Sequence, residues 1–135
     1  MNITELIKEA LTARENAYAP YSGFAVGAAL LGKSGHVYYG CNVENASYPA
    51  TNCAERTAFF AAVAKGETEF EAIAIIGGPV GKMPDKYCYP CGICRQVMSE
   101  FCAKNSDTFR IIVAKNEEDY EIYSLKDMLP HGFEL

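Results

Sequence analysis

The sequence predicts one α/β domain, a mixed sheet of five strands with helices packed against it. Three observations point there. The chain has 135 residues, and single domains usually run about 100–200 residues. Hydrophobic residues make up 50% of it, enough for a real core without disulfide staples. The elements read helix, strand, strand, helix, strand, helix, strand, strand, helix. Strand–helix–strand units in the middle of such an order favour a mixed sheet covered by helices.

Asn2 with Glu5 three residues later forms a capping box. Ile3, Leu6, Ile7, Ala10, Leu11 and Ala17 then keep helical spacing, so the first helix is expected to run to about residue 17, before Pro20 and Gly23 break it. Val26 to Leu31 is small and apolar, as in a strand buried on both faces. Gly32-Lys33-Ser34-Gly35 makes a hairpin turn, and His36 to Gly40 returns beside it. Residues 42–51 are polar and contain Pro49, which predicts a loop. Thr51 or Asn52 is the expected cap of a helix through Lys65, ended by Gly66.

Phe70 to Ile76 reads as a buried strand. Gly77 to Pro90, broken by glycine and proline, reads as a loop. A helix is predicted from Cys91, carrying Val97, Met98 and Phe101 inward. Arg110 to Ala114 and Tyr120 to Tyr123 are the last strands, and Ser124 with Asp127 opens a short helix stopped by Pro130.

Charge narrows the partners. With 12 basic and 17 acidic residues the net charge is −5, which repels phosphate backbones and argues against nucleic acid. Residues 1–5 lack a basic start, and no apolar run approaches the roughly 20 residues that span a membrane. A cytoplasmic protein with no membrane partner is the expectation. The 6 cysteines are too closely spaced, in too large a core, for a disulfide scaffold.

Two of their clusters carry the chemistry: Cys53-Ala54-Glu55, and Pro90-Cys91-Gly92-Ile93-Cys94. Both fall at predicted helix starts, where N–H groups and the helix dipole favour thiolates. Cys91 and Cys94 are three apart, so both sulfurs can reach one ion, and Cys53 completes a set of three. Catalytic zinc typically takes three protein ligands and keeps the fourth position for water. Glu55, beside the first thiolate, is placed to move protons for that water. Three thiolates leave zinc with a net negative charge, which works against acidifying the water. Arg56 is positioned to hydrogen-bond a sulfur and draw charge from it.

Other readings of the same residues stand beside this one. A C-x-x-C pair also occurs in redox sites and as half of a structural zinc site. Cys88, Cys91 and Cys94 partly match an iron–sulfur run, without its further cysteine and proline. Cys88 as a fourth ligand would close the site. Cys41 and Cys102 read as small buried hydrophobes, and His36 and His131 have no ligand spacing.

The pattern C-A-E followed by P-C-x-x-C resembles the zinc-dependent cytidine deaminases, with cysteine in place of histidine as first ligand. Tyr18-Ala19-Pro20-Tyr21-Ser22-Gly23-Phe24-Ala25-Val26-Gly27-Ala28-Ala29-Leu30 is similar to the family's N-terminal signature. Gly40-Cys41-Asn42-Val43-Glu44-Asn45-Ala46-Ser47-Tyr48 is similar to its ribose-binding loop. The all-cysteine form resembles the short, homotetrameric branch, and the likeness spans most of residues 1–133.

The resemblance implies a three-layer fold with helices on both faces of the sheet, Zn2+ held by Cys53, Cys91 and Cys94, and a single catalytic domain over 1–135. It implies hydrolysis of cytidine and deoxycytidine at C4, with release of ammonia, in pyrimidine salvage. Glu55 would be the proton shuttle. Asn42 and Glu44 would hold ribose hydroxyls, Phe24 would pack on the base, and the Ala54 backbone N–H would meet the pyrimidine. Ala46, Tyr48 and Phe133 would reach a neighbouring subunit's site. Residues 77–89 are longer than usual for the family, and Tyr87-Cys88-Tyr89 brings a spare thiol and two aromatics toward the metal.

A deaminase for a cytosine-like antibiotic such as blasticidin S shares the zinc motifs and a short C-terminus. Asn42, Glu44 and the Tyr-Ser-Gly-Phe run favour the nucleoside instead. A non-catalytic zinc or dithiol module leaves Glu55 without a role.

Overall fold

The structure is a computed structural model and describes residues 1–135. Its elements are α1 (Ile3–Arg14), β1 (Phe24–Gly32), β2 (Val37–Cys41), α2 (Ala54–Ala64), β3 (Phe70–Pro79), α3 (Gly92–Cys102), β4 (Arg110–Ala114), β5 (Tyr120–Ser124) and α4 (Leu125–Met128). One five-stranded sheet has the order β2-β1-β3-β4-β5. Only β3 and β4, joined through α3, run parallel, and the other pairs are antiparallel. The expected element order and mixed sheet are both present.

The sheet divides two cores. On one face Leu6, Ile7 and Ala10 of α1 pack on Ala29, Leu31, Ala72, Ala74, Ile76 and Ile112. On the other, Ala54, Ala58, Phe59 and Ala62 of α2 join Met98 and Cys102 of α3 and Leu125 over Leu30, Ile73, Ile75, Ile111 and Val113. Burying the leucine, isoleucine, valine, phenylalanine and methionine side chains among these contributes about 1.5–3 kcal/mol each before chain entropy is counted. Phe59 lies at the centre of that second core, edge-on to Phe70 at 5.0 Å and stacked with Phe101 at 5.9 Å.

Several boundaries differ from the sequence expectation, among them β1, which starts at Phe24 rather than Val26. α1 ends at Arg14 rather than near residue 17, because the chain tightens into successive three-residue turns ending with Ala17 N–H on the Arg14 carbonyl. Arg14 itself is drawn to the sheet, donating to the carbonyls of Ala25, Gly78 and Pro79 at 2.8–2.9 Å. β3 continues through Gly77, Gly78 and Pro79, expected as loop, because these residues pair with Val26, Ala25 and Phe24. Glycine is needed there for close packing, since a Cβ on Gly78 would lie 2.9 Å from the Pro84 backbone. The cap of α2 is Cys53, not Thr51 or Asn52.

Candidate active site

Cys53 and Cys91 occupy the N-cap positions of α2 and α3, both in extended backbone conformation. Each thiol therefore projects from the positive end of a helix. Cys94 lies in the first turn of α3, and its N–H donates to Cys91 Sγ at 3.4 Å. Cys53 Sγ stands 3.8 Å from Cys91 Sγ, which is 3.5 Å from Cys94 Sγ. All three sulfurs fall within 4.8 Å of one another.

Zinc–sulfur bonds of about 2.3 Å in a tetrahedron require sulfurs about 3.8 Å apart. The trio fits a zinc ion with little adjustment. All six cysteines are free thiols, and Cys88 lies outside the cluster. Burial pushes the Cys88 thiol up to about 11, which disfavours the thiolate that a ligand must supply.

The surroundings separate the thiols. A hydrogen bond from Cys94, helped by Arg56, brings Cys53 down to about 5 against its burial. Cys94, the other partner in that bond, is pushed up. Arg56 Nη2 reaches Cys53 Sγ at 3.3 Å, as expected from sequence. Its Nε is buried without a partner, a spare donor beside the sulfurs. The Asn52 amide donates to Thr57 Oγ1 at 3.1 Å, and that hydroxyl donates to the Cys53 carbonyl at 3.1 Å, bracing the turn.

Glu55 sits in the first turn of α2, buried at 5% exposure, and takes part in none of the ion pairs. Burial, with the neighbouring Cys53 thiolate adding to it, raises its carboxyl to about 7. A carboxyl held there accepts and returns a proton at neutral pH. Ala54, fully buried, opens the helix, so its N–H has no acceptor within the helix.

The polar loop after β2 is tied to this centre. Val43 and Asn52 exchange backbone hydrogen bonds at 3.0 Å each, joining the loop to the residue before Cys53. Glu44 accepts from the Tyr21 and Ser22 N–H groups at 2.9 and 3.1 Å and from the Ser22 hydroxyl. The Ser22 bonds hold its carboxyl below the usual range. Tyr21, Ser22, Glu44, Asn45, Tyr48 and Thr51 line a cavity of about 350 Å³, within the size of small-molecule sites.

Asn42 is differently engaged. It is buried, with Oδ1 accepting from the Val26 N–H at 2.9 Å and Nδ2 donating to the Phe24 carbonyl at 2.8 Å. One N–H of its amide is left over. Phe24 is 39% exposed.

The structure thus gathers Cys53, Cys91, Cys94, Glu55, Arg56 and Ala54 at the paired helix ends, and joins Asn42 and Glu44 to them by a short backbone ladder. Ala46 and Tyr48 lie exposed on the same loop, with Tyr48 edge-on to Tyr21. Phe133 does not line the cavity. Its backbone is held by the Gln96 amide at 3.0 and 3.3 Å and its ring is 68% exposed.

Two contributors were not assigned roles from sequence. Ser22 donates to Glu44 and accepts from the Phe24 N–H at 3.0 Å. Its place in a Pro-Tyr-Ser-Gly turn is the local signal, because serine in turns bonds nearby backbone. The Asn52–Thr57 brace has no local signal beyond two cap-type residues flanking the cysteine.

A family profile for the cytidine and deoxycytidylate deaminase zinc-binding region matches residues 1–108. A cytidine deaminase of Sporosarcina psychrophila is 44% identical over 133 residues, covering 98% of this chain and 92% of its own. One from Halalkalibacterium halodurans is 48% identical over 128 residues, covering 95% and 91%. Among solved structures, cytidine deaminase from Burkholderia pseudomallei superposes with a TM-score of 0.85 at 48% identity, over 98% of this chain and all of the other. Cytidine deaminase from Mycobacterium tuberculosis gives 0.81 at 37%, over 100% and 99%.

Proposed function

The chain belongs to the family of cytidine and deoxycytidylate deaminases that bind zinc, and on that premise we propose how its residues divide the hydrolysis of cytidine and deoxycytidine to uridine and deoxyuridine. It is a zinc-dependent hydrolytic deaminase, acting on the C–N bond of a cyclic amidine. One observation carries the assignment of roles: a buried carboxyl, Glu55, sits in the first turn of α2, just after Cys53, where that thiol converges with Cys91 and Cys94 of α3.

Cys53, Cys91 and Cys94 would hold Zn2+, which would supply an activated water as the nucleophile for C4 of the pyrimidine. Glu55 takes the proton that this water gives up and delivers it to N3 of the ring. Once the water oxygen has added to C4, Glu55 would move the remaining hydroxyl proton to the amino group; the C4–N bond breaks, ammonia leaves and the C4 carbonyl of uridine forms. The Ala54 N–H steadies the pyrimidine, and Arg56 withdraws charge from the Cys53 sulfur.

Glu44 and the remaining N–H of Asn42 bind the sugar, and the half-exposed Phe24 ring packs on the base. Ala46, Tyr48 and Phe133, exposed in one chain, serve a neighbouring subunit's site in a homotetramer with shared pockets. The whole of residues 1–135 forms the one catalytic domain. Its place is the cytoplasm, in pyrimidine salvage.

The zinc-loaded protein is given cytidine, deoxycytidine, the monophosphate and blasticidin S, and ammonia is followed, with Glu55→Gln beside it. Release from both nucleosides, abolished in the variant although zinc stays bound, is the expected result. Full activity in the variant removes Glu55 from the mechanism, and preference for blasticidin S removes the nucleoside reading.

A further inference from the structure

Tyr87-Cys88-Tyr89 leads through Pro90 into Cys91, and its side chains alternate between two surroundings. The Tyr87 hydroxyl bonds Asp119, just before the edge strand β5. Lys115 lies 4.5 Å over the Tyr87 ring and 3.7 Å from Asp119. The Tyr89 hydroxyl donates to Glu121 Oε1 at 2.6 Å, and the same oxygen accepts from Tyr123 at 2.9 Å. The Tyr89 and Tyr123 rings meet edge-on at 6.1 Å.

Two tyrosines two residues apart thus meet two carboxylates two residues apart. Cys88, between them, turns toward β3, where a Cβ on Gly77 would stand 3.1 Å from its sulfur. Beyond the ligand, Arg95 donates to the Pro90 carbonyl at 2.9 Å and to the Met128 carbonyl at 3.0 Å.

Cys91 is the exposed member of the three thiols, and it precedes the first helical residue of α3. The helix holds its sulfur through the Cys94 N–H and its carbonyl through the Arg95 N–H, which leaves the incoming chain to be fixed. Two anchors set that approach: Tyr89 on Glu121 from one side, Arg95 on Pro90 from the other.

We propose that Tyr89 and Glu121 are positioning residues for Cys91, strapping its arm to the edge of the sheet so that zinc is retained. This rests on the reading that the three thiols hold zinc. Hydroxyl-to-carboxylate bonds are stronger than neutral ones, and partners that orient a metal ligand are worth factors of ten or more in metal retention. The Tyr-Cys-Tyr segment thereby acquires a role in which the tyrosines anchor and Cys88 packs.

The test measures zinc release from the loaded, full-length protein to an excess of chromogenic chelator, with thermal unfolding of each variant alongside. Tyr89→Phe, which removes one hydroxyl, and Glu121→Ala are each expected to release zinc about tenfold faster. The double variant is expected to be no faster than the quicker single one.

Tyr123→Phe, which breaks the other bond to Glu121 away from the arm, and Cys88→Ala are expected to release zinc at the original rate. Release at the original rate from Tyr89→Phe overturns the proposal. Equal acceleration by Tyr123→Phe also overturns it, since general loosening of β5 would then suffice. If the unsubstituted protein retains no zinc, the metal reading itself falls, and that outcome is distinct from the other two.

Discussion

Gly40 lies so close beneath the first turn of α2 that a Cβ on it would stand 2.1 Å from the Ala54 carbonyl oxygen. It would also stand 2.6 Å from the Ala58 nitrogen. Both are backbone atoms, so relief requires moving the helix. The end that would move carries Cys53 and Glu55. Gly40→Ala is expected to cost about 3 kcal/mol, the upper range for overpacking, and to lower zinc content in the purified protein. Thermal unfolding and metal analysis check it. Undiminished stability with full zinc would mean that α2 slides on the sheet without consequence.

Arg56 reaches one sulfur and holds a second donor, its Nε, buried and unpaired beside the cluster. Arg56→Gln removes the charge that offsets the thiolates. Turnover is expected to fall about tenfold while zinc remains bound. A kcat equal to that of the unsubstituted enzyme, at equal zinc content, would set this role aside.

Much of this site is legible in sequence because it is local. The spacing of Cys91 and Cys94, and of Cys53 and Glu55, needs only a helix start to acquire its geometry. Short connections account for the β1–β2 and β4–β5 pairs, whereas β1 meets β3, and β3 meets β4, only across the segments that carry α2 and α3. What sequence does not show depends on distant partners. Thr51 and Asn52 are better cap types than Cys53, yet the Thr51 hydroxyl accepts from the Asn45 N–H, and Asn52 pairs with Val43 and Thr57. Gly77 and Gly78 have loop character by propensity, and only pairing with Ala25 and Val26 makes them strand. Glu44 meets Ser22 across 22 positions and Tyr89 meets Glu121 across 32, separations at which no pattern connects them.

Glu55 sets a pH dependence of stability. Its folded pKa, about 7, is raised from 4.5 by burial. The folded state therefore binds a proton that the unfolded state gives up, and the associated stability is fully present below 4.5 and lost as pH rises through 7. Well above that, the charged, buried carboxylate costs about 3 kcal/mol. Glu55→Gln removes the charge. In zinc-free protein the stability gained by the variant is expected to widen between pH of about 4.5 and about 9, read as Tm at each pH. A gap of constant size would show that Glu55 is solvated as freely in the fold as outside it.

Asn42 is the remaining case, where binding and folding share one side chain. Its amide completes the start of β1, taking the Val26 N–H and giving to the Phe24 carbonyl, both within hydrogen-bond distance. Asn42→Ala leaves a strand donor and a strand acceptor unpaired in a buried setting, which costs about 1–3 kcal/mol. The same change frees the backbone that positions Phe24. The expected outcome is a lowered Tm together with a raised KM for cytidine. Because the Phe24 backbone is held through the Ser22 hydroxyl as well, Ser22→Ala is expected to raise KM with a smaller loss of Tm. If Asn42→Ala raises KM with Tm unchanged, the amide serves the sugar alone and its strand bonds are replaced by water.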